Sequence, residues 1–154
     1  MNQLLSPQLL KYRSRYLFAI RSFFQETGFL EIDTPTLKSV PGMEPYLDPM
    51  LVRSPHEEKE GYLITSPEYS LKEALSLGLE KIYEIAHCFR SGEKGVLHTK
   101  EFLMLEFYQA GISELELMDI CISLFEYLQI HFKDFGFRKE KCLKIKMEDL
   151  FLKK

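Results

Sequence analysis

The stretch CFRSGEKGVLHTKEF, residues 88 to 102, gathers Arg90, Glu93, Lys94 and His98 around Gly92 and Gly95 and ends on Phe102. A guanidinium can grip a phosphate through two parallel hydrogen bonds, and an imidazole on the far side of the loop can reach the same polyphosphate. An aromatic ring can stack on a base. Glycines at 92 and 95 would let the backbone come close to such a ligand. The same residue types also make an ordinary charged surface hairpin, and the local chemistry leaves both readings open. Beyond Phe102, Glu106 and Tyr108 stand two residues apart, the spacing that puts both side chains on one face of a strand, where a carboxylate and a hydroxyl can converge on a cation. A strand that tolerates one solvated charge would read the same way.

Strands on either side must hold these groups in place. KIYEIAHCF (81 to 89) reads as one strand, and FLMLEFYQA (102 to 110) as the other, with Phe102, Met104, Glu106 and Tyr108 on one face and Leu103, Leu105 and Phe107 on the opposite one. The charged stretch is then a long hairpin connection. YLIT (62 to 65) is a further strand, and SPEYSLKEALSLG (66 to 78) a helix that starts at a Ser-Pro pair, has Glu68 in its first turn and ends at Gly78. Between residues 39 and 61, Pro41, Gly42, Pro45, Pro49, Pro55 and Gly61 break any regular helix, so this segment is expected to be a loop or lid, with LDPMLV as a short strand.

Upstream, apolar residues at helical spacing predict an amphipathic helix from Pro7 to about Thr27, with Ser6 as N-cap, Pro7 at N1 and Gly28 as a left-handed stop. FLEID (29 to 33) follows as a half-buried strand closed by Pro35. Downstream, residues 113 to 132 read as a helix opened by the capping box Ser113 and Glu116. The tail from residue 133 alternates basic and apolar residues without a fold signal.

Composition sets the outer limits. With 154 residues, the chain suits one domain, since domains of about 150 residues bury roughly 70% of their unfolded surface. Its 45% hydrophobic content and 28% charged content describe a globular protein rather than a disordered one. A net charge of -3 gives no global attraction for polyphosphate, so nucleic-acid contact would need a local patch. Cys88, Cys121 and Cys142 are odd in number and include no CxxC pair, which predicts three free thiols, at least two of them buried, and no zinc site. No apolar run approaches the roughly 20 residues needed to span a bilayer, and the N-terminus lacks a signal-peptide layout. A cytoplasmic protein with no membrane partner is the expectation.

GFLEIDTPTL (28 to 37), preceded by a helix, resembles motif 1 of class II aminoacyl-tRNA synthetases, and FRSGEKGVLHTKEFLMLEFY (89 to 108) resembles their motif 2. Within that class PGMEPYLDP (41 to 49), LITSPEYSLKEALSLG (63 to 78), KIYEIAHCFRSGEKG (81 to 95) and HTKEFLMLEFY (98 to 108) are most similar to the lysyl subgroup, and especially to the elongation factor P lysine ligases. The resemblance covers most of residues 10 to 130. It implies an α+β fold built on an antiparallel sheet flanked by helices, a partial class II catalytic domain over residues 1–154 with motif 1 at about 20–37 and motif 2 at about 82–110, and no anticodon-binding domain.

It also implies ATP as substrate and activation of lysine or β-lysine to an adenylate. Arg90 matches the motif 2 arginine on the ATP α-phosphate and is the implied catalytic residue. Ser91, Gly92, Glu93, His98, Thr99 and Phe102 match the rest of the ATP-binding loop, with His98 near the outer phosphates and Phe102 stacking on adenine. Glu106 and Tyr108 match positions that recognise the lysine side chain, and Ser66, Pro67 and Glu68 match the amino-acid site, with Glu68 a partner for the α or β ammonium. The implied partners are elongation factor P and a second copy bound through motif 1, with tRNA disfavoured because only about ten residues precede the resemblance.

The chain departs from the pattern at three places. Many members read Arg-Asn-Glu where this chain reads Arg90, Ser91, Gly92, Glu93, and an Asn-Pro commonly stands where Thr99 and Lys100 are found. No Gly-x-Gly-x-Gly run with an arginine follows residue 130. Motif 3, the magnesium-holding acids beside it and the second carboxylate for the lysine side chain are therefore expected from a separate C-terminal half. The alternative is a catalytically silent paralogue that dimerises or regulates, and a lysyl-tRNA synthetase fragment is a third reading.

Overall fold

The computed structural model describes residues 6–56, 61–92, 95–96, 98–132 and 142–152. Two compact units make up the chain, one of residues 1–27 with 111–154 and the other Gly28–Ala110. Among the described residues no helix is long and apolar enough to cross a membrane.

The first unit is helical. Helix α1, Pro7–Glu26, starts as its sequence dictates, with the Leu9 N–H donating to Ser6 Oγ at 3.2 Å and Pro7 at the position where no N–H is needed. It buries Ala19, Ile20, Phe23 and Phe24, four residues that share one face at helical spacing. Burying one such large side chain is worth about 1.5–3 kcal/mol. Gly28, at φ +81°, supplies the left-handed turn that ends the helix. Helix α3, Glu114–His131, opens on the predicted capping box, in which the Glu116 N–H donates to Ser113 Oγ and the Ser113 N–H to Glu116 Oε2. It packs on α1 through Tyr127 against Phe23, centroids 5.6 Å apart, and Phe132 just past its end meets Tyr16 at 5.5 Å. The tail contributes a short helix α4, Met147–Leu152, which no sequence signal announced.

The second unit holds two three-stranded sheets and helix α2, Glu68–Ser76. In the first sheet β1, Leu30–Glu31, runs parallel to β5, Lys81–Phe89, and β5 pairs antiparallel with β6, Glu101–Gln109, over their whole lengths. In the second, β4, Gly61–Leu63, lies between β2, Leu37–Lys38, and β3, Met50–Val52. A bond from the Phe89 N–H to the Ile64 carbonyl, 2.8 Å, ties the end of β5 to the chain just beyond β4. Ile64, Ala86 and Cys88 form a buried cluster against which Phe102 and Met104 pack.

Several expectations are corrected in detail. FLEID is paired as a strand only at Leu30 and Glu31, because Pro35 ends the extended run, although the Ile32 N–H still reaches the Tyr83 carbonyl at 2.9 Å. YLIT is paired only to Leu63, and the segment from 39 to 56 holds β3 as the only strand among its described residues. All three thiols are free, but only Cys88 is buried. Cys121 lies at the margin of the α3 stripe whose centre is Leu124 and Leu128, so it is half-buried, as is Cys142.

Candidate functional site

The hairpin register decides which side chains meet. Cys88 pairs with Phe102, Ala86 with Met104, Glu84 with Glu106 and Ile82 with Tyr108, so the predicted β6 face lies beside the buried face of β5. Tyr108 donates to Glu106 Oε1 at 2.6 Å, the convergence that their spacing suggested. Burial pushes the Glu106 carboxyl up, the hydroxyl of Tyr108 opposes that, and the negative charges of Glu68 and Glu44 raise it further. The Tyr108 phenol is also pushed up, first by burial and then by its bond to Glu106. A half-buried carboxylate beside a neutral hydroxyl can accept a cation, and the cation would relieve the repulsion from its neighbours.

Glu84 lies opposite Glu106 in the hairpin register, although no motif pointed to it. It is 3% exposed, and its carboxylate accepts the Thr34 N–H at 3.0 Å and the Thr34 hydroxyl at 3.0 and 3.2 Å. Burial raises its pKa and the Thr34 bonds pull it back. The signal was present in KIYEIAHCF, where an acid stands among Ile82, Ala86 and Cys88 on the buried face. Its partner, fifty residues earlier in the chain, had no local signature.

Arg90 follows directly on β5. Its N–H donates to the Lys100 carbonyl at 3.0 Å, its Nε to the Thr65 carbonyl at 3.2 Å, and its guanidinium lies over the Phe102 ring at 5.1 Å. The structure therefore brings Arg90 and Phe102 together and ties the arginine to Thr65, the residue before Ser66. Ser66 Oγ accepts the Glu68 N–H at 3.4 Å, Pro67 is the buried N-cap of α2, and Glu68 in the first turn forms an ion pair with Lys72 one turn on.

The loop itself differs from expectation. Ser91 is bound through its N–H and hydroxyl to the Asp48 carbonyl, and a Cβ at Gly92 would collide with Asp48 Oδ2. A Cβ at Gly95 would collide with the His98 ring in the same way. The close approaches that these glycines permit are thus made by the protein's own side chains. His98 is exposed, with its N–H on the Gly95 carbonyl at 3.2 Å, and Thr99 is exposed with its hydroxyl on the Glu101 carbonyl. Glu93 lies outside the described residues.

Beside Ser66 opens a cavity of about 310 Å³, bordered by residues 38–43 and 62–66 and by Tyr69, Ser70 and Glu73 of α2. Among the described residues no three His, Cys, Asp or Glu side chains gather as a metal site, and no step is assigned to magnesium.

A family model described as tRNA synthetases class II (D, K and N) matches residues 3–153. The chain belongs to this family. Among curated relatives of this chain, an elongation factor P (R)-beta-lysine ligase homolog of Aquifex aeolicus is 36% identical over 132 residues, 84% of this chain and 43% of the relative. An elongation factor P (R)-beta-lysine ligase of Buchnera aphidicola is 34% identical over 150 residues, 92% of this chain and 43% of the relative. A lysine-tRNA ligase of Mycoplasmoides gallisepticum is 33% identical over 123 residues, 80% of this chain and 25% of the relative. The chain thus spans less than half the length of these relatives. The α+β fold with mainly antiparallel strand pairing agrees with a class II synthetase domain.

Proposed function

We propose that this synthetase-family chain takes part in the ATP-dependent activation of lysine or β-lysine and in the transfer of the acyl group to a lysine of elongation factor P. The observation that supports this reading best is the hydrogen-bonded pair Glu106 and Tyr108 on the strand that also bears Phe102 under Arg90. One hairpin then presents a cation acceptor at one end and a phosphate and base binder at the other. In the first step a substrate carboxylate oxygen bonds to the α-phosphorus, the bond to the bridging oxygen breaks, and pyrophosphate leaves with the electron pair. Arg90 would neutralise the charge that builds on the phosphoryl oxygens, and Phe102 would hold the base. In the second step the neutral ε-amine of the acceptor attacks the acyl carbon, an amide forms, AMP departs and the amine's proton is released.

A C-terminal polypeptide carrying motif 3 is proposed to complete the active species. Names of relatives favour elongation factor P as acceptor at 43% coverage, and a lysine-tRNA ligase at similar identity keeps transfer to tRNA as the second reading. Lysine-dependent exchange of pyrophosphate into ATP tests the first step. The full chain, combined with a C-terminal polypeptide from a relative, should support exchange, and Arg90→Ala should abolish it with the circular dichroism unchanged. Absence of exchange in every combination would leave the silent, dimerising paralogue as the better reading. Labelled lysine offered with elongation factor P and with tRNA then separates the two acceptors.

A further inference from the structure

The helical unit carries a cavity that the proposed reaction does not use. It has a volume of about 340 Å³ and lies between α1 and α3, within residues 1–27 and 111–154. Ser14, Arg15, Phe18 and Ser22 line it from α1, at the spacing that puts them on one face of a helix, and Tyr127 and His131 line it from α3.

Arg15 is the fixed charge of this cavity. Its guanidinium lies 5.7 Å from the centroid of the Phe132 ring and 5.9 Å from that of Tyr12, and it has no ion pair or hydrogen bond among the described residues. Two rings restrict the guanidinium without neutralising it, so its N–H fork stays available to an oxyanion. Among the described residues no aspartate or glutamate lines the cavity. The acid whose charge reaches Tyr127 is Glu26, at the end of α1. It stands about three turns, or roughly 16 Å, beyond Arg15 and does not compete for the guanidinium.

The remaining walls are flat. The Tyr127 and His131 rings stack at 4.2 Å, and His131 Nδ1 donates to the Tyr127 carbonyl at 2.8 Å, so the imidazole is held in one orientation. Phe18 is 72% exposed, a large ring left in water that gains by being covered. Ring faces ordered in advance cost a flat ligand little to meet. A volume near the lower end of the roughly 300–1,000 Å³ typical of ligand sites suits one ring with one anionic group.

We propose that this cavity binds a small anion bearing one aromatic ring, with its carboxylate or phosphate on Arg15 and its ring against Phe18 and Tyr127. Both groups offer a guanidinium the same pair of oxygens, so experiment decides between them. The site shares no residue with the hairpin that bears Arg90, Phe102, Glu106 and Tyr108 and does not depend on the lysine reading.

Titration calorimetry on the full chain tests it with benzoate, phenyl phosphate, phenol and inorganic phosphate. Benzoate or phenyl phosphate should bind at least tenfold more tightly than phenol and inorganic phosphate, and the tighter of the two identifies the anionic group. Arg15→Gln should weaken that ligand tenfold or more and Phe18→Ala several-fold, while Arg90→Ala should leave it within twofold, which separates this cavity from the hairpin. Arg15 and Phe18 are exposed, so circular dichroism should be unchanged in both variants. Should Phe18→Ala unfold, Phe18→Leu, which keeps the bulk without the flat ring, makes the same comparison. Failure of both ringed anions to bind at millimolar concentration, equal affinity for phenol or inorganic phosphate, or binding that survives Arg15→Gln or is lost in Arg90→Ala overturns the proposal. A dimeric unaltered chain with monomeric Arg15→Gln and Phe18→Ala variants in sedimentation would also overturn it, because a second copy would then cover the cavity.

Discussion

Glu106 is the residue whose chemistry can be followed most directly by pH. Its carboxyl is raised above the ordinary value of 4.5 mainly by burial, so the folded chain holds this proton more tightly than the unfolded chain does. The sign follows: this group favours the folded state at low pH, and that contribution is lost as pH rises through 4.5 and on to the folded value. Glu106→Gln removes the dependence, so its melting temperature relative to the unaltered chain should climb between pH 4 and pH 7 in a thermal scan. Ligand affinity should move the opposite way, because an ammonium needs the ionised form. L-lysine affinity in calorimetry should decline on acidification from a pH above that of an ordinary carboxylate, and Glu106→Gln should flatten the profile. Tyr108→Phe removes the 2.6 Å bond to the carboxylate and should weaken L-lysine binding several-fold without changing the direction of the pH effect. Cys88 makes a useful contrast, since burial lifts its thiol to about 12 and leaves it protonated at neutral pH. It is packing for the hairpin, not a nucleophile.

At the scale of elements, the sheet is tied to the turn after β1 by a side chain. Thr34→Val removes one of the donors to the buried Glu84 carboxylate and should cost about 1–3 kcal/mol, the cost of leaving a buried acceptor short of a partner. Urea unfolding would measure it, and Thr34→Ser should retain most of the stability. Ser113→Ala, which breaks the capping box of α3, should cost about 1 kcal/mol in the same measurement. These two cases also show what the sequence could reveal. Ser113 and Glu116, or Ser6 and Pro7, are three residues or fewer apart, and their helix ends were legible because a cap is a local bargain between neighbouring groups. The β6 alternation was legible for the same reason, and with it Glu106 and Tyr108. Thr34 with Glu84 and Asp48 with Ser91 are 50 and 43 residues apart, and such pairs exist only once the sheets have formed. The parallel pairing of β1 with β5 was illegible on the same ground. Gly92 and Gly95 were legible as points of close approach, but what approaches them was not, since Asp48 and His98 fill space that a ligand would otherwise claim.

For the whole molecule, Arg90, Phe102, Glu106, Tyr108 and the residues around Ser66 all fall within the unit Gly28–Ala110, so the candidate site residues share one compact unit. The unit nevertheless has an open side. Strand β6 runs for nine residues with β5 as its one neighbour among the described residues, which leaves alternate backbone N–H and carbonyl groups turned outward. A strand of that length and aromatic content is a template for another strand, because each outward pair gains a hydrogen bond that water otherwise supplies. If the proposed second polypeptide completes the sheet, its arrival must change those amides first. In hydrogen exchange, roughly half of the amides from Glu101 to Gln109 should exchange quickly in the chain alone and become protected when the C-terminal polypeptide is added, at the same concentration at which pyrophosphate exchange begins. Protection elsewhere, with β6 still exchanging as before, would mean that the partner docks on another face and that the active site is completed by a different route.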